Sequence, residues 1–308
     1  PGFESWRGSH FHEAINIPTG EIMALPWRSS WVKAGGINTH YSEAGEEGEP
    51  VILLHGSGPG SSGAAGFRFM IPALAPSFRV YAPDQVSFGK TDMSNPSAWP
   101  YEGLQSLVNH TSDFIEALCL KNVSIVGNSQ GAYVATKYAL DNPGKVKKLF
   151  LIGSATIAWA MGVPQILTPG LKALSEYDGT EEKMRVFLES IVTDRTTVTD
   201  ELVKSRNEAF HLPGVPEARK VFEATRTKVL EDPEWHQRYS LKGRLENLTT
   251  PTRFVWGKND TFAPPELAYQ LQPMIPNIEI EFIEDAGHQV QTDQPDLVHS
   301  LVIDFFSN

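Results

Sequence analysis

The apolar positions of this chain fall into two regimes. Short runs of consecutive apolar residues, each closed by glycine, proline or a small polar residue, read as strands buried on both faces. PVILLHG, FRVYAPD, NVSIVGNS and KKLFLIGS follow one another in this manner. Between the second and third, Leu104, Leu107, Val108, Thr111, Ile115 and Leu118 recur at helical spacing and predict an amphipathic helix over about residues 101–119. A further helix, QGAYVATKYALDN, follows the third strand and stops before Pro143 and Gly144. Ahead of these lie WVKAGG and INTHYSEAG, a β-rich entry. Strand–helix alternation of this kind predicts a mostly parallel sheet covered on both faces.

The pattern changes after Ser154. As far as about Leu245 there is no convincing strand, only helical pieces such as EEKMRVFLESIV, TDELVKSRNEAF and EARKVFEATRTKVL. Alternation then returns with TRFVWGKND, a helix after Pro264 and Pro265, and IEIEFIEDAGH. A last helix carries Leu297, Val298, Leu301, Val302 and Phe305 on one expected face. The implied organisation is an α/β core over residues 29–154 and 246–308, interrupted by a helical lid at 155–245. An extension over 1–28 has no assigned task.

Composition narrows the function classes. The chain has 308 residues, enough for one large domain with an insertion. A formal net charge of -11 argues against a nucleic-acid surface. The one cysteine, Cys119, excludes an internal disulfide, suits a reducing compartment and lies in an apolar run that predicts a buried, inert thiol. The N-terminus lacks the basic-then-apolar pattern of a signal peptide. The longest uncharged stretch, 149–171, is broken by Gly153, Gly162, Pro164, Pro169 and Gly170, so it does not read as a membrane span. The expectation is a cytoplasmic protein acting on a small molecule, with no nucleic-acid or membrane partner. No metal is expected: H-E-x-x-H is absent, and His10 with His12 make a poor site.

Gly127-Asn128-Ser129-Gln130-Gly131 is a G-x-S-x-G between a predicted strand and a predicted helix. A serine there sits on a sharp turn that lifts its hydroxyl above the sheet edge, and the following helix aims backbone N–H groups at it. As a bare five-residue match the motif is weak; its strand–turn–helix context supplies the weight. Serine needs a base oriented by a third group, and in this fold class the chain order is Ser, acid, His. Asp260 in the turn after TRFVWG and His288 in the turn after IEIEFI satisfy that order. Taken singly, Asp260 reads as an ordinary turn residue and His288 as a structural histidine. The candidate catalytic set is therefore Ser129, Asp260 and His288. The oxyanion donors are the N–H groups of Gln130 and Ser57, with Gly58 beside them in the loop His55–Gly60. That loop has no lysine and no G-x-x-x-x-G-K-[ST], so it is not a nucleotide loop. His55 is expected to brace it. Serine at position 129 also sets the chain apart from aspartate-nucleophile relatives of the fold.

GINTHYSEAG, LLHGSGPGSSG, IPALAPSFRVYAPDQVSFGKTD, VGNSQGAYVATKYAL and VWGKND…AGH resemble the meta-cleavage product hydrolases. The likeness covers nearly all of the chain beyond about residue 30. It implies an α/β-hydrolase fold with a helical lid, no cofactor, and cleavage of a carbon–carbon bond in a vinylogous 1,5-diketone acid. It leaves self-association open. It also implies that Arg206 binds the substrate carboxylate; unaided, the sequence offers only a helix arginine near Glu201 and Glu208, usually a solvated one. Departures are Gly66 for a customary asparagine, Gln289 for the tryptophan after the histidine, Gly131-Ala132 for a double glycine, and Ser87 for the glycine before FG. Gly66 and Gln289 thus stand at expected substrate-contact positions. Trp159, Met161 and Phe210 are the lid side chains expected to line the pocket, and each serves equally well as a core residue.

Three functions fit these residues. His288 assists tautomerisation of a dienol and Ser129, or a water it helps to activate, attacks the ketone. Alternatively, Ser129 forms an acyl-enzyme from an ester or lactone. A third reading, from another class, is a ligand-binding protein that keeps the fold without turnover.

Overall fold

The computed structural model describes residues 26–308, and residues 14–16 and 22–24 as backbone alone. Those two segments, β1 (Ala14–Asn16) and β2 (Ile22–Ala24), pair antiparallel. The rest of residues 1–25, with His10 and His12, lies outside the described residues.

The entry β3 (Arg28–Ala34) and β4 (Ile37–Ala44) form a hairpin whose turn, Gly35-Gly36, has φ of 55° and 90°, which glycine adopts without cost. Then come β5 (Glu49–Leu54), α1 (Gly63–Phe67), α2 (Met70–Leu74), β6 (Phe78–Pro83), α3 (Leu104–Ala117), β7 (Val123–Asn128), α4 (Gln130–Asp141) and β8 (Val146–Ile152). After β8 the chain is helical through α5 (Ala155–Ala160), α6 (Pro169–Ser175), α7 (Glu181–Glu189), α8 (Asp200–Phe210), α9 (Val215–Glu231) and α10 (Pro233–Tyr239). The sheet resumes with β9 (Thr252–Gly257), α11 (Pro265–Leu271), β10 (Ile280–Ile283), α12 (Val290–Asp293) and α13 (Pro295–Ser307).

The eight strands from β3 onward form one sheet in the order β10-β9-β8-β7-β5-β6-β4-β3, parallel except for the pairs made by β4. Its central strands are buried on both faces, as their unbroken apolar runs require: β7 is buried at every position. One core lies on the face of α3, α4 and α11 and runs on into α9 and α10. A second lies under α1, α2 and α13. The helical segment has its own small core of Met184, Phe187, Leu188, Ile191, Val198 and Val203. Its helices begin where the sequence caps them: Thr168, Thr180 and Thr199 accept the N–H groups of Leu171, Lys183 and Leu202. Each such cap is worth about 1 kcal/mol.

Three sequence expectations shift. Helix α3 is shorter than 101–119 because Gly103 begins it at φ 57° and Leu118 already leaves helical geometry. The buried stripe of α13 is Val298, His299, Val302 and Phe306, with Leu297 46% exposed, so the stripe is rotated from the one expected. Cys119 is exposed rather than buried, because it lies past the end of α3 in a turn at φ 53°.

Ser87 occupies the left-handed region, φ 71°, and its hydroxyl is buried without a hydrogen-bond partner. An L-residue there costs about 1–2 kcal/mol, and an unpaired buried hydroxyl about 1–3 kcal/mol. The greater chain entropy of glycine offsets about 0.5–1 kcal/mol of that. Ser87→Gly is therefore expected to stabilise the fold by about 1 kcal/mol. A urea midpoint unchanged or lowered relative to wild type contradicts this account of the loop.

Candidate active site

From β5 the chain crosses to β6 on one side, while β7 pairs on the other. In an open parallel sheet such a reversal leaves a crevice beyond the carboxyl ends of the strands. The register brings Leu54 of β5 opposite Gly127 of β7, and Asn128 opposite Ile152 of β8. The loop after β5, the turn after β7, and the loops after β9 and β10 therefore share one rim, and every sequence-selected polar candidate from the core follows one of these strands.

Ser129 links β7 to α4 at φ 56° and ψ −119°, a backbone state that costs free energy in a non-glycine residue. Its surroundings hold it there. Its N–H donates to Ile152 O at 2.9 Å, and Ser154 Oγ donates to its carbonyl at 2.7 Å. The flanking glycines are steric necessities. A Cβ on Gly131 would lie 2.0 Å from Leu54 O, and one on Gly127 would lie 2.5 Å from Gly131 O. The motif is thus the local sequence that lets β7, its turn and α4 pack against β5.

Asp260 and His288 are both buried, and His288 Nδ1 lies 2.8 Å from Asp260 Oδ2. The other carboxylate oxygen accepts the N–H groups of Phe262 and Ala263 at 2.8 and 2.7 Å. Asp260 is thereby fixed as an acceptor that holds the proton on Nδ1, leaving Nε2 free to accept. The Phe262 ring lies 4.6 Å from the imidazole, centroid to centroid. His288 and Ser129 line the same small cavity, of about 20 Å³, and no hydrogen bond joins them directly. Such contacts commonly tighten only once substrate is bound.

The loop after β5 is held by its carbonyls. Gln85 N donates to His55 Nε2 at 3.1 Å, so the ring proton resides on Nδ1, which donates to Gly56 O at 2.8 Å. From the helical segment, Arg219 Nη1 donates to Ser57 O at 3.1 Å. Arg206 Nε and Nη2 donate to Pro59 O at 3.0 and 2.7 Å, and Nη2 also donates to Ser61 Oγ at 2.9 Å. Arg206 is buried, not the solvated surface arginine its sequence neighbours suggest, and no carboxylate among the described residues pairs with it. Burial, with Arg68 nearby, lowers its pKa to about 9. A buried cation without a counter-ion is costly, and an anionic ligand would relieve that cost.

Two cavities meet at Ser129. The small polar one is lined by Ser57, Gly58, Ser61, Arg206, His288 and Gln289. The larger, of about 120 Å³, is mainly apolar, with Leu104, Trp159, Val163, Leu174, Phe222 and Phe262 in its wall and Gln130 beside Ser129. Trp159, Arg206 and Gln289 thus reach the site. Met161, Phe210 and Gly66 line neither cavity. Met161 is fully buried in the core shared with α4 and α9, and Phe210 packs edge-on to Tyr177 at 5.0 Å between centroids. Gly66 faces His55, whose Cβ would be 3.2 Å from an added Cβ, and offers its carbonyl to Gln291.

Sequence reasoning missed an amide chain beneath the histidine. Asn128 Nδ2 donates to His288 O at 3.1 Å, Gln289 Nε2 to Asn128 Oδ1 at 2.8 Å, and Gln291 Nε2 to Gln289 Oε1 at 2.8 Å. It also missed Arg219. Asn128 was legible as an occupant of the motif; Arg219 carried no local signal.

The sheet with its strand-order reversal, the serine turn and the acid–histidine pair define the α/β-hydrolase class of protein. Residues 51–301 match the model of the alpha/beta hydrolase family, and the chain belongs to that family, grouping within it with the meta-cleavage product hydrolases. It is 34% identical over 278 residues to 2-hydroxy-6-oxo-2,4-heptadienoate hydrolase of Pseudomonas putida, covering 90% of this chain and 95% of that one. The fold is similar to that of the meta-cleavage product hydrolase CumD of Pseudomonas fluorescens IP01, with TM-score 0.75, 33% identity, and 90% and 97% of the two chains covered. It is also similar to that of 2-hydroxy-6-oxo-6-phenylhexa-2,4-dienoate hydrolase (BphD) from Rhodococcus sp. strain RHA1, with TM-score 0.78, 25% identity, and coverage of 92% and 99%.

Burial lowers the pKa of His55 from 6.5 to about 4, against a smaller raising effect of Asp84, and burial lowers that of His110 to about 4 as well. Both imidazoles are neutral in the fold, whereas the unfolded chain binds their protons near pH 6.5. Their contribution to stability is complete above pH 6.5 and is lost as pH falls toward 4. The expected loss is on the order of a few kcal/mol for the pair. Denaturant titrations at pH 7, 5.5 and 4.5 check this, and stability constant over that span contradicts it.

Proposed function

We propose that this chain hydrolyses a carbon–carbon bond in a vinylogous 1,5-diketone acid, with Ser129, His288 and Asp260 as its catalytic residues. The single observation that carries the substrate class is the buried Arg206, which has no carboxylate partner among the described residues, in the polar cavity beside Ser129 and His288. An ordinary ester does not require that cation; a dienoate carboxylate does. The names of the similar enzymes, which act on 2-hydroxy-6-oxo-dienoates, point the same way.

In this reading the carboxylate end of the substrate lies in the polar cavity and the acyl end in the apolar one, so the scissile bond falls at Ser129 where the two meet. His288, oriented by Asp260, assists ketonisation of the dienol. Ser129, or a water it helps to activate, then adds to the ketone, and the N–H groups of Gln130 and Ser57 receive the developing oxyanion. Carbon–carbon cleavage returns the electron pair to the dienol fragment, which His288 protonates, and the acyl part leaves as a carboxylic acid after water has been consumed. The helices of residues 155–245 serve as the lid that encloses this reaction. Gln289, held between Asn128 and Gln291, presents an amide to the polar cavity where relatives commonly have tryptophan. No helix among the described residues is long and apolar enough to cross a membrane. A cytoplasmic setting is part of the proposal.

Parallel assays decide between bond types. A coloured dienol-ketone acid is expected to be split by wild type into a carboxylic acid and a dienol acid, and Ser129→Ala should reduce kcat for release of those products by at least about 10³-fold. Turnover of esters alone would sink the carbon–carbon reading. Arg206→Gln should raise KM for the acid by about 10-fold or more while affecting its neutral methyl ester far less. Equal losses for acid and methyl ester would remove Arg206 from carboxylate recognition.

A further inference from the structure

The donors of an oxyanion hole must be rigid, because their advantage over water is that they need not reorient as charge develops. In this chain one of them, Ser57 N–H, belongs to a glycine-rich loop whose neighbours Gly56 and Gly58 impose little stiffness of their own. A trans peptide places its N–H opposite its C=O, so fixing a carbonyl fixes the N–H of the next residue. The peptide before the Ser57 Cα is fixed from within the core, by His55 Nδ1 on Gly56 O at 2.8 Å. The peptide after it is fixed from outside, by Arg219 Nη1 on Ser57 O at 3.1 Å.

Arg219 is itself built into place. Its side chain is 11% exposed. Its guanidinium lies 4.6 Å from the Phe88 ring centroid, and Phe88 in turn packs edge-on to His55 at 5.2 Å. Glu223, one turn further along α9, lies 3.5 Å from Nη2, the other terminal nitrogen. A glutamate four residues away is common for a solvated helix arginine; near-complete burial with an N–H on a loop carbonyl is not. The planar fork, held by a ring on its face and a carboxylate at its edge, presents one N–H to the loop in a defined direction.

We propose that Arg219 is a positioning residue for the oxyanion hole: by holding the Ser57 carbonyl it fixes the peptide after the Ser57 Cα, so that, with His55 holding the peptide before it, the loop cannot turn about that Cα and carry the Ser57 N–H off its line. Arg219 touches no reacting atom. The inference rests on the proposed role of Ser57 N–H, and it applies equally to ketone and ester substrates because both develop charge on the same oxygen.

The test is steady-state kinetics of Arg219→Met and Arg219→Lys on the dienol-ketone acid and on a p-nitrophenyl ester. Arg219→Met should lower kcat by roughly 10- to 100-fold on whichever substrate wild type turns over, with KM changed by less than about 3-fold. Affinity for a trifluoromethyl ketone, which forms a tetrahedral oxyanion on Ser129, should fall by a similar factor. Arg219→Lys, which keeps the charge and can still reach a carbonyl, should recover part of the loss, and added ethylguanidinium should restore activity to Arg219→Ala. Should Arg219→Met not fold, Arg219→Ala carries the same readouts. A folded Met or Ala variant with wild-type kcat and wild-type affinity for the ketone overturns the proposal. So does a loss confined to KM. Inactivity of wild type itself on both substrates would instead overturn the proposed function.

Discussion

The left-handed turn at Ser129 is the constraint on which the rest of the site depends. An isolated peptide would not hold that conformation, and here both main-chain groups of the serine are tied to β8 and the residues just beyond it, through Ile152 O and Ser154 Oγ. The strain is tolerable because β7 is paired on both sides and buried along its whole length. Sheet stability therefore underwrites a serine hydroxyl raised above the rim. The N–H of Gln130, as the first residue of α4, inherits its direction from the same turn.

Around this point the two halves of the chain have different tasks. The core supplies the serine turn, the acid–histidine pair and the His55 brace from loops that end strands. The helical segment supplies buried arginines that reach down onto the 57–61 loop. Arg206 and Arg219 make the same kind of contact, a guanidinium on a loop carbonyl, but their environments differ. Arg219 has Glu223 beside it, whereas Arg206 has no carboxylate among the described residues. The unbalanced charge is the one that faces the polar cavity.

Most of the core was legible because its signals are local. Apolar runs closed by small residues marked the strands, and G-x-S-x-G with Asp260 and His288 in the expected order marked the candidate catalytic set. Three side chains were not decided by their neighbourhood. Residue type leaves Met161 and Phe210 equally suited to pocket or core, and Cys119 lies in an apolar run, yet which way such a side chain faces depends on the packing of helices distant in sequence. Met161 turned into the core, Phe210 onto Tyr177, and Cys119 out to solvent past the end of α3. The buried stripe of α13 differs from the expected one for a related reason: a helix rich in apolar residues offers several faces, and the sheet beneath selects one.

By itself the sequence determined the strands, the sharp turn and the chain order of serine, acid and histidine, because these follow from near-neighbour sterics and from periodicity over a few residues. Only the tertiary structure decided that Arg206 is buried without a counter-ion, that Arg219 grips Ser57, and that two cavities of unlike polarity meet at Ser129. Burial and charge compensation are properties of surroundings assembled from remote segments, and no window along the chain contains them.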